Sequence, residues 1–365
     1  MFVDLPGISN VWSSTSEASI VDQVITEESS HLFVLLPDHI RYQYFDLPWN
    51  KLQSVVEKVD LPVLVASLGA NVLPGEATDL GSRMPPEMVS CLRTLADRCT
   101  TLGVRGEFTA DVLESIGIAN VRVVGCPAYF EAGPGRRLGP PAWREGRGVV
   151  ATGIVADPAA TSDLFFVLQG EPPFTSLLIG TTPPQLDEVG PLFSPEMLPY
   201  VTTVLSAVAN GRMAIFSDIP KWKETIAAAA NMVVGTRVHG AFIGINSGVP
   251  AIITNADARA RELCSLYGIP IRGGMILPEL PWRELLESID FGEIDRRYDG
   301  LFENYLLWLR ENTIPVAPHD GGHAGFAPGR FPRVEAAEPG QRASVMALID
   351  LLLQAAGRTA PTAPS

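Results

Sequence analysis

The residues with the clearest chemical potential lie in a short segment between an apolar strand and a helix. Residues 235–240 have the sequence Gly-Thr-Arg-Val-His-Gly and follow the apolar run Met232–Val234. A strand that ends in glycine and leads into a helix places N–H groups and the positive end of the helix dipole at the sheet's carboxyl edge. There, Arg237 can hold a phosphate or carboxylate bidentately, and His239 can transfer a proton near neutral pH. The segment predicts a site for an anionic substrate.

The same segment has a simpler interpretation, in which Arg237 and His239 only cap a loop. Two glycines favour the binding site. Gly235 ends the strand, and Gly240 adds a second position without a side chain, where we expect a ligand to approach the backbone.

A second segment places an arginine before a helix start. Residues 102–113 have the sequence Leu-Gly-Val-Arg-Gly-Glu-Phe-Thr-Ala-Asp-Val-Leu, and Gly117 and the run Val121–Pro127 follow. Arg105 ends the predicted strand in this segment, and the pair Gly106-Glu107 opens the helix.

These two segments, taken together, resemble the polysaccharide pyruvyl transferases. Gly-x-Arg-x-His-Gly followed by a small-residue helix and Gly-Val-Pro is similar to the C-terminal signature of that family, and the segment around Arg105 is similar to a second family motif. The segments occur in the family's order, about 130 residues apart. The resemblance covers roughly residues 30 to 310.

The resemblance implies a transferase that uses phosphoenolpyruvate. Family members place the enolpyruvyl carbons on two hydroxyls of a sugar, leave a pyruvate ketal and release phosphate. The implied catalytic residues are Arg105 and Arg237 as anion clamps and His239 as the acid/base group. The implied substrate-binding set is Asn71, Arg105, Gly235, Arg237, His239, Gly240 and Arg259. Phosphoenolpyruvate is the donor substrate, and the scheme requires no metal and no other cofactor.

Arg259 and Asn71 enter this set through weaker similarities. The family often has Asp-Pro-Lys after the Gly-Val-Pro strand, and this chain has Asp257-Ala258-Arg259, so Arg259 is either a third anion contact or a solvated helix-start arginine. Asn71 follows the turn Ser67-Leu-Gly-Ala, which is similar to a small-residue turn in the family.

Other polar residues have structural interpretations at least as good as functional ones. Glu107 is more simply a helix-capping carboxylate than a catalytic one. Asp38, His39 and Arg41 follow a predicted strand, where they either contact the acceptor or form a polar loop.

Composition excludes several classes of protein. The chain has 365 residues, 46% of them hydrophobic, and a net charge of −14. The negative charge argues against nucleic-acid binding, which depends on Lys and Arg. The four cysteines show no metal-ligand spacing and suit reduced thiols. Because the sequence shows no leader and no apolar run of about 20 residues, we expect a cytoplasmic protein, with a peripheral position at the inner face of the membrane as the alternative.

Strands and helices alternate along the chain, which predicts an α/β protein with parallel sheets. The predicted strands cover residues 32–36, 62–67, 101–104, 121–124, 148–151, 176–179, 213–216, 232–234 and 251–254. The predicted helices cover residues 52–58, 86–98, 107–116, 195–209, 222–230, 241–247, 258–267, 282–288 and 299–311. Residues 131–147, rich in Gly, Pro and Arg, are predicted to be a linker or an exposed excursion, and Cys91 and Cys99 are expected to pack in the core.

We expect an N-terminal Rossmann-like domain over residues 1–140 on the acceptor side, a C-terminal Rossmann-like domain over 141–314 with the donor site, and a Gly/Pro-rich tail over 315–365 with a terminal helix. The resemblance implies a glycosyltransferase-B-like arrangement. Family members begin with a strand and a Gly-Asp turn that this chain lacks, so its start is either truncated or replaced, and we expect the N-terminal half to be less stable.

Three functions fit these observations. The first is a pyruvyl transferase acting on a glycan, such as a lipid- or nucleotide-linked precursor of a surface polysaccharide. The second is a nucleotide-sugar glycosyltransferase of the same fold, and the third is a non-catalytic binding protein. The acceptor sugar and the oligomeric state stay open at this point.

Overall fold

The structure is a computed structural model that describes most of residues 30–316. Within this range it leaves out 74–75, 77–78, 156–163, 170–199, 202, 205–206, 208–211, 217, 255 and 274–280. The expected strand at 176–179, most of the expected helix at 195–209, and the tail from 317 onwards therefore lie outside the described residues. No helix in the described part has the length and apolar character needed to cross a membrane.

The described elements alternate along the chain as the sequence predicts. In order they are β1 (Leu32–Leu35), α1 (Trp49–Lys58), β2 (Val63–Ala66), α2 (Leu80–Arg83), α3 (Pro86–Arg98), β3 (Leu102–Val104), α4 (Glu107–Ser115), β4 (Val121–Val123), β5 (Gly148–Thr152), β6 (Leu164–Leu168), β7 (Met213–Ile215), α5 (Ile219–Ala229), β8 (Ala230–Gly235), α6 (Val238–Asn246), β9 (Ala251–Thr254), α7 (Ala258–Tyr267), β10 (Ile271–Arg272), α8 (Trp282–Glu287) and α9 (Gly292–Glu311). Short 3₁₀ turns occur at Tyr42–Tyr44 and Pro127–Phe130.

The chain folds into two compact units that are not continuous in sequence. Unit 1 takes the described residues among Met1–Gly139, Ala256–Ile269 and Phe291–Ala324, and unit 2 takes those among Pro140–Asn255 and Pro270–Asp290. The first boundary lies beside the expected one at 140/141. The division differs from the expected domains because α7 and α9 pack on unit 1, where a Cβ at Gly103 would lie 2.6 Å from the Trp308 ring.

Unit 1 is built on two pairs of parallel strands within the described residues. Strand β1 pairs with β2, β3 pairs with β4, and a single bridge between Leu68 and Val104 joins the two pairs. All of β2 and β3 is buried. Such continuous apolar strands are typical of parallel sheets that are covered on both faces. Cys91 and Cys99 are buried in this core as reduced thiols, which confirms their predicted packing role.

Unit 2 contains a six-stranded parallel sheet with the strand order β10-β9-β8-β5-β6-β7. The chain builds outward from β5 through β6 to β7, then returns to place β8 on the other side of β5. This is the strand order of Rossmann folds, and it confirms the predicted α/β class. The order reverses between β5 and β8, so the carboxyl ends of these two strands form the switch point at which such sheets bind ligands.

Residues 131–147, expected to be a linker or an exposed excursion, are partly packed against the protein. Arg136 is buried, donates a hydrogen bond to Tyr129 Oη at 2.9 Å and lies 3.9 Å from the centroid of the Tyr298 ring. Further along, the Asn231 side chain accepts from Arg144 N and donates to Arg144 O. The side chain of Arg136 and the backbone of Arg144 therefore fix parts of this segment to the protein.

Candidate functional site

The Gly-Thr-Arg-Val-His-Gly segment lies at the switch point of the unit 2 sheet. Thr236 follows β8, and its Oγ1 accepts a hydrogen bond from the N–H of Ile154, which follows β5, at 3.0 Å. The backbone N–H of Arg237 donates to Thr152 O, the last carbonyl of β5, at 3.4 Å. The loops that leave β5 and β8 are thus tied together at the carboxyl edge where an anionic ligand was predicted.

Arg237 and His239 both project from the start of α6. Arg237 is the N-cap residue and His239 lies in the first turn, which begins three residues before the predicted helix start. Both side chains are exposed. The side chain of the N-cap residue makes no capping bond, and the first turn of α6 contains no acidic residue. Arg237 adds a full positive charge beside the positive end of the helix.

The glycines of this segment permit close packing between protein segments. Gly235 has a φ of 147°, and a Cβ there would lie 1.8 Å from Thr152 O. A Cβ at Gly240 would lie 2.6 Å from Thr152 Oγ1. The structure thus gives Gly240 a different reason from the one expected, because its missing side chain makes room for β5 and not for a ligand. In the same way, Gly153 makes room for Thr236 and Arg237.

In unit 1, Arg105 follows β3 and is held in one orientation. Its side chain is almost fully buried, with 2% of the residue exposed. Its Nε donates to Ser67 Oγ at 2.9 Å, and its Cδ lies against the backbone of Gly69. Ser67 has a φ of 56°, a left-handed conformation that is costly for a residue with a side chain. A strained residue persists only where the surrounding structure fixes it, and such residues cluster at functional sites. Ser67 therefore supports a functional role for the carboxyl end of β2.

Asn71 and Arg259, predicted separately, are brought together by the structure. Asn71 is 1% exposed, donates from Nδ2 to Asp257 Oδ2 at 3.1 Å and accepts from Arg259 N at 3.4 Å. The guanidinium of Arg259 bridges Asp257 Oδ2 at 3.3 Å and Asp38 Oδ2 at 3.1 Å. Arg259 is therefore an oriented cation rather than a freely solvated one, and the amide of Asn71 is used to fix the start of α7.

Residues 12–172 match the family model of the polysaccharide pyruvyl transferases. The resemblance drawn from the sequence is confirmed over that range, which contains Asn71 and Arg105. The segment at 235–240 and Arg259 lie beyond the matched residues.

No curated protein sequence matches the chain. Among solved structures, the glycosyltransferase SnogD from Streptomyces nogalater aligns over 88% of this chain and 100% of its own at 13% identity, with a TM-score of 0.26.

One buried titratable group of unit 1 was not predicted from the sequence. Glu262, on the buried side of α7, accepts hydrogen bonds from Thr109 N at 3.2 Å and from Thr109 Oγ1 at 2.9 Å. Burial raises its pKa to about 7, although the bonds from Thr109 and the nearby charge of Arg105 act in the opposite direction. No sequence signal marks it, because a single glutamate in a helix resembles an ordinary surface residue.

Glu262 also takes the role expected of Glu107. The N-cap residue of α4 is Gly106, which has no side chain, and Glu107 is exposed in the first turn. The carboxylate that accepts from the N3 amide of α4, that of Thr109, comes instead from Glu262 on a distant part of the chain. The positive end of α4 is thus occupied by a group of the protein itself.

Proposed function

We propose that the protein is a pyruvyl transferase that moves the enolpyruvyl group of phosphoenolpyruvate onto a sugar of a surface polysaccharide precursor, forming a pyruvate ketal and releasing phosphate. The observation that carries the proposal is the position of Arg237 and His239 at the switch point of the unit 2 sheet, on a helix start whose first turn contains no acidic residue. The family match over residues 12–172 supports the same reaction class.

The charges at this switch point suit phosphoenolpyruvate. The donor has a phosphate and a carboxylate on the same carbon, so it needs positive charge and N–H donors close together. A chain of net charge −14 repels anions except where cations are concentrated. Arg237 and the N-terminus of α6 supply such a place, and we assign the donor anion to them.

Arg105 and Arg259 are the further anion contacts of the proposal. The burial of Arg105 and its bond to Ser67 fix the plane of its guanidinium, which favours bidentate binding of a phosphate or carboxylate. Arg259 is also oriented, but its charge is shared with Asp38 and Asp257. We therefore expect Arg105 to contribute more to anion binding than Arg259.

The reaction needs two kinds of proton transfer. Addition of a sugar hydroxyl to C2 of the enol requires a proton on the methylene carbon C3 and loss of the hydroxyl proton. Loss of phosphate, which takes the electron pair of its C–O bond, then leaves an oxocarbenium centre that the second hydroxyl closes to the ketal. His239 is our candidate for the acid that protonates C3, because its imidazole is exposed at the start of α6 and histidine is the side chain that most often acts as an acid or base in enzymes.

A nucleotide-sugar glycosyltransferase is the second candidate. The strand order of unit 2 favours it, because sheets of this order commonly bind nucleotides at the switch point. It would place the donor diphosphate at the start of α6 in the same way as phosphoenolpyruvate.

Product analysis separates the candidates. The purified chain is incubated with phosphoenolpyruvate and methyl glycosides of glucose, galactose and mannose, each of which has a free pair of hydroxyls at carbons 4 and 6. We expect phosphate release that depends on the glycoside, and a ketal methyl signal by NMR. Parallel reactions contain nucleotide sugars in place of phosphoenolpyruvate. Release of a nucleoside diphosphate with no phosphate from phosphoenolpyruvate would support the glycosyltransferase, and turnover of neither donor would support a binding protein.

A further inference from the structure

His39 lies in a loop of unit 1 that is fixed to the sheet. The loop follows β1, and its residue Ile40 donates to Gly69 O at 3.2 Å and accepts from Asn71 N at 2.9 Å. An isolated parallel bridge between Ile40 and Ala70 continues the pairing of β1 with β2. His39 is therefore held at the carboxyl end of the sheet, close to the turn that positions Arg105.

One ring nitrogen of His39 is enclosed and the ring as a whole is not. The residue is half-buried, and Nδ1 is buried with no hydrogen-bond partner among the described residues. The ring packs on that of Tyr44 with centroids 5.2 Å apart. Asp38 is next in sequence, but its Oδ2 is engaged by Arg41 at 2.8 Å and by Arg259 at 3.1 Å. Among the described residues, no carboxylate is hydrogen-bonded to Nδ1 of the imidazole.

This setting keeps the imidazole neutral. Burial is the largest effect and lowers the pKa of His39 below its ordinary value. The positive charges of Arg41 and Arg105 act in the same direction, and the negative charge of Asp38 opposes them. A histidine that is uncharged at neutral pH and keeps part of its ring open to solvent can accept a proton there.

We propose that His39 is the base that removes the proton from the sugar hydroxyl during pyruvyl transfer. This inference rests on the proposed function and assigns the second of its two proton transfers. The hydroxyl O–H bond breaks, its proton goes to the imidazole, and the oxygen forms a bond to C2 of the enolpyruvyl group. The double-bond electrons take a proton at C3 from the acid. The half-exposed ring then returns its proton to solvent, or to the departing phosphate, before the next turnover.

The two proton transfers require two different groups, which we assign to His239 and His39. Protonation at C3 and deprotonation of the hydroxyl run in opposite directions, so one group cannot be poised in the correct state for both at once. His39 begins in the neutral state, as a base must. The adjacent carboxylate of Asp38 would stabilise the imidazolium after transfer, while Arg41 and Arg105 would favour its rapid return to the neutral form.

The test compares His39→Gln with a matched control, His31→Gln, in the same unit. His31 is a partly exposed histidine that directly precedes β1 and contacts Ser30 and Thr313. Phosphate release from phosphoenolpyruvate with a 4,6-diol methyl glycoside is followed from pH 5 to 9. We expect His39→Gln to lower kcat by about 10²- to 10⁴-fold while the Kd for phosphoenolpyruvate stays within about threefold. In the wild type we expect kcat/KM to rise with pH as His39 loses its proton. In His39→Gln this rise should disappear.

Each outcome of this test decides something. If His39→Gln keeps wild-type kcat, or retains the wild-type pH profile, His39 is not the base. If His31→Gln matches the loss seen in His39→Gln, the effect belongs to the stability of β1 and the assignment also fails. A wild-type chain that releases no phosphate with any diol rejects the proposed function and this inference with it, which distinguishes that failure from the failure of His39 alone.

Discussion

At the scale of single residues, His239 gives the most direct test of the chemistry. Because the side chain is exposed at the start of α6, its replacement should leave the fold intact. We expect His239→Ala and His239→Gln to abolish turnover while the affinity for phosphoenolpyruvate changes by no more than about tenfold, since glutamine forms hydrogen bonds but does not relay protons at neutral pH. Steady-state kinetics and calorimetry measure the two effects, and near-normal turnover in either variant would remove His239 from the acid/base role.

Arg105 tests whether the plane of a guanidinium matters. Lysine in its place keeps the charge but loses the bond from Nε to Ser67 Oγ and the fork that it orients. We expect Arg105→Lys to weaken phosphoenolpyruvate binding by about 1 to 3 kcal/mol in calorimetry. Arg83→Lys is the control, because Arg83 is exposed and pairs with Asp79. Unchanged affinity in Arg105→Lys would mean that this arginine serves the acceptor or the fold.

Glu262 predicts a pH dependence of stability. Its pKa is raised to about 7 in the folded protein, from an ordinary value of 4.5. The contribution of this raised pKa to the free energy of unfolding is fully present below pH 4.5 and is lost as the pH rises through 7. Relative to Glu262→Gln, the wild type should therefore lose on the order of 3 kcal/mol across this range. Urea unfolding of both proteins at pH 5 and pH 8 measures it, and a difference between them that does not vary with pH would contradict the raised pKa.

Local sequence patterns predicted the candidate residues that lie next to strand and helix ends. They did not predict the candidates whose partners are distant in the sequence. Arg105 and Arg237 lie between a strand and a helix, and His239 lies in the first turn of the helix after Arg237, so their positions at a sheet edge were predictable. The bonds between Glu262 and Thr109 join residues that are 153 positions apart, and no local pattern encodes them. The state of His39 likewise depends on Arg105, which comes from another strand.

At the scale of elements, the predictions succeeded where end signals were strong. Helix α3 begins with proline at its first position, and α7 has Asp257 as a capping residue at its start and Gly268, with a φ of 72°, at its end. Both were predicted with their observed bounds. Strands β6 and β10 were missed, since β6 is an uninterrupted apolar run without alternation and β10 has two exposed residues. Their assignment depends on neighbouring strands that only the fold provides.

The junction of α4 with α7 can be tested by adding one methyl group. A Cβ at Gly106 would lie 2.7 Å from Glu262 Cβ and 2.8 Å from its Oε2, so Gly106→Ala should destabilise the protein by about 1 to 3 kcal/mol. Gly300, inside α9, has no atom within 4 Å of the same position. Gly300→Ala should therefore stabilise by about 0.5 to 1 kcal/mol. Urea unfolding of both variants gives the comparison, and a neutral Gly106→Ala would show that α7 is free to move away.

At the scale of the whole molecule, the two sheets should differ in their resistance to opening. Strands β5 and β8 each have a hydrogen-bonded strand on both sides, whereas the described strands of unit 1 form two pairs joined by one bridge. We expect amide hydrogens of β5 and β8 to exchange more slowly than those of β1 and β4. Hydrogen exchange followed by mass spectrometry resolves these segments. Equal protection would mean that unit 1 has additional support that the paired strands do not reveal.

The composition of unit 1 was the part of the architecture that the sequence did not predict. Chain position placed α7 and α9 with the second sheet, because both lie within residues 141–314, the range expected for the C-terminal domain. Their buried faces belong to unit 1 instead, where Trp308 Nε1 donates to Thr101 O at 2.9 Å and Asn312 Nδ2 donates to the same carbonyl at 3.2 Å. An amphipathic stripe shows that a helix packs, but it does not show against which partner.

The return of α9 to unit 1 also sets an order of events during synthesis. The space beside Gly103 is filled by Trp308, so the nascent chain must lengthen by about 200 residues after β3 before that surface is covered. Unit 2 residues up to Thr254 leave the ribosome earlier than α7 and α9 do. Five of the six described strands of the unit 2 sheet, β5 to β9, can thus pair while unit 1 still exposes apolar side chains, a stage at which chaperones would have their substrate.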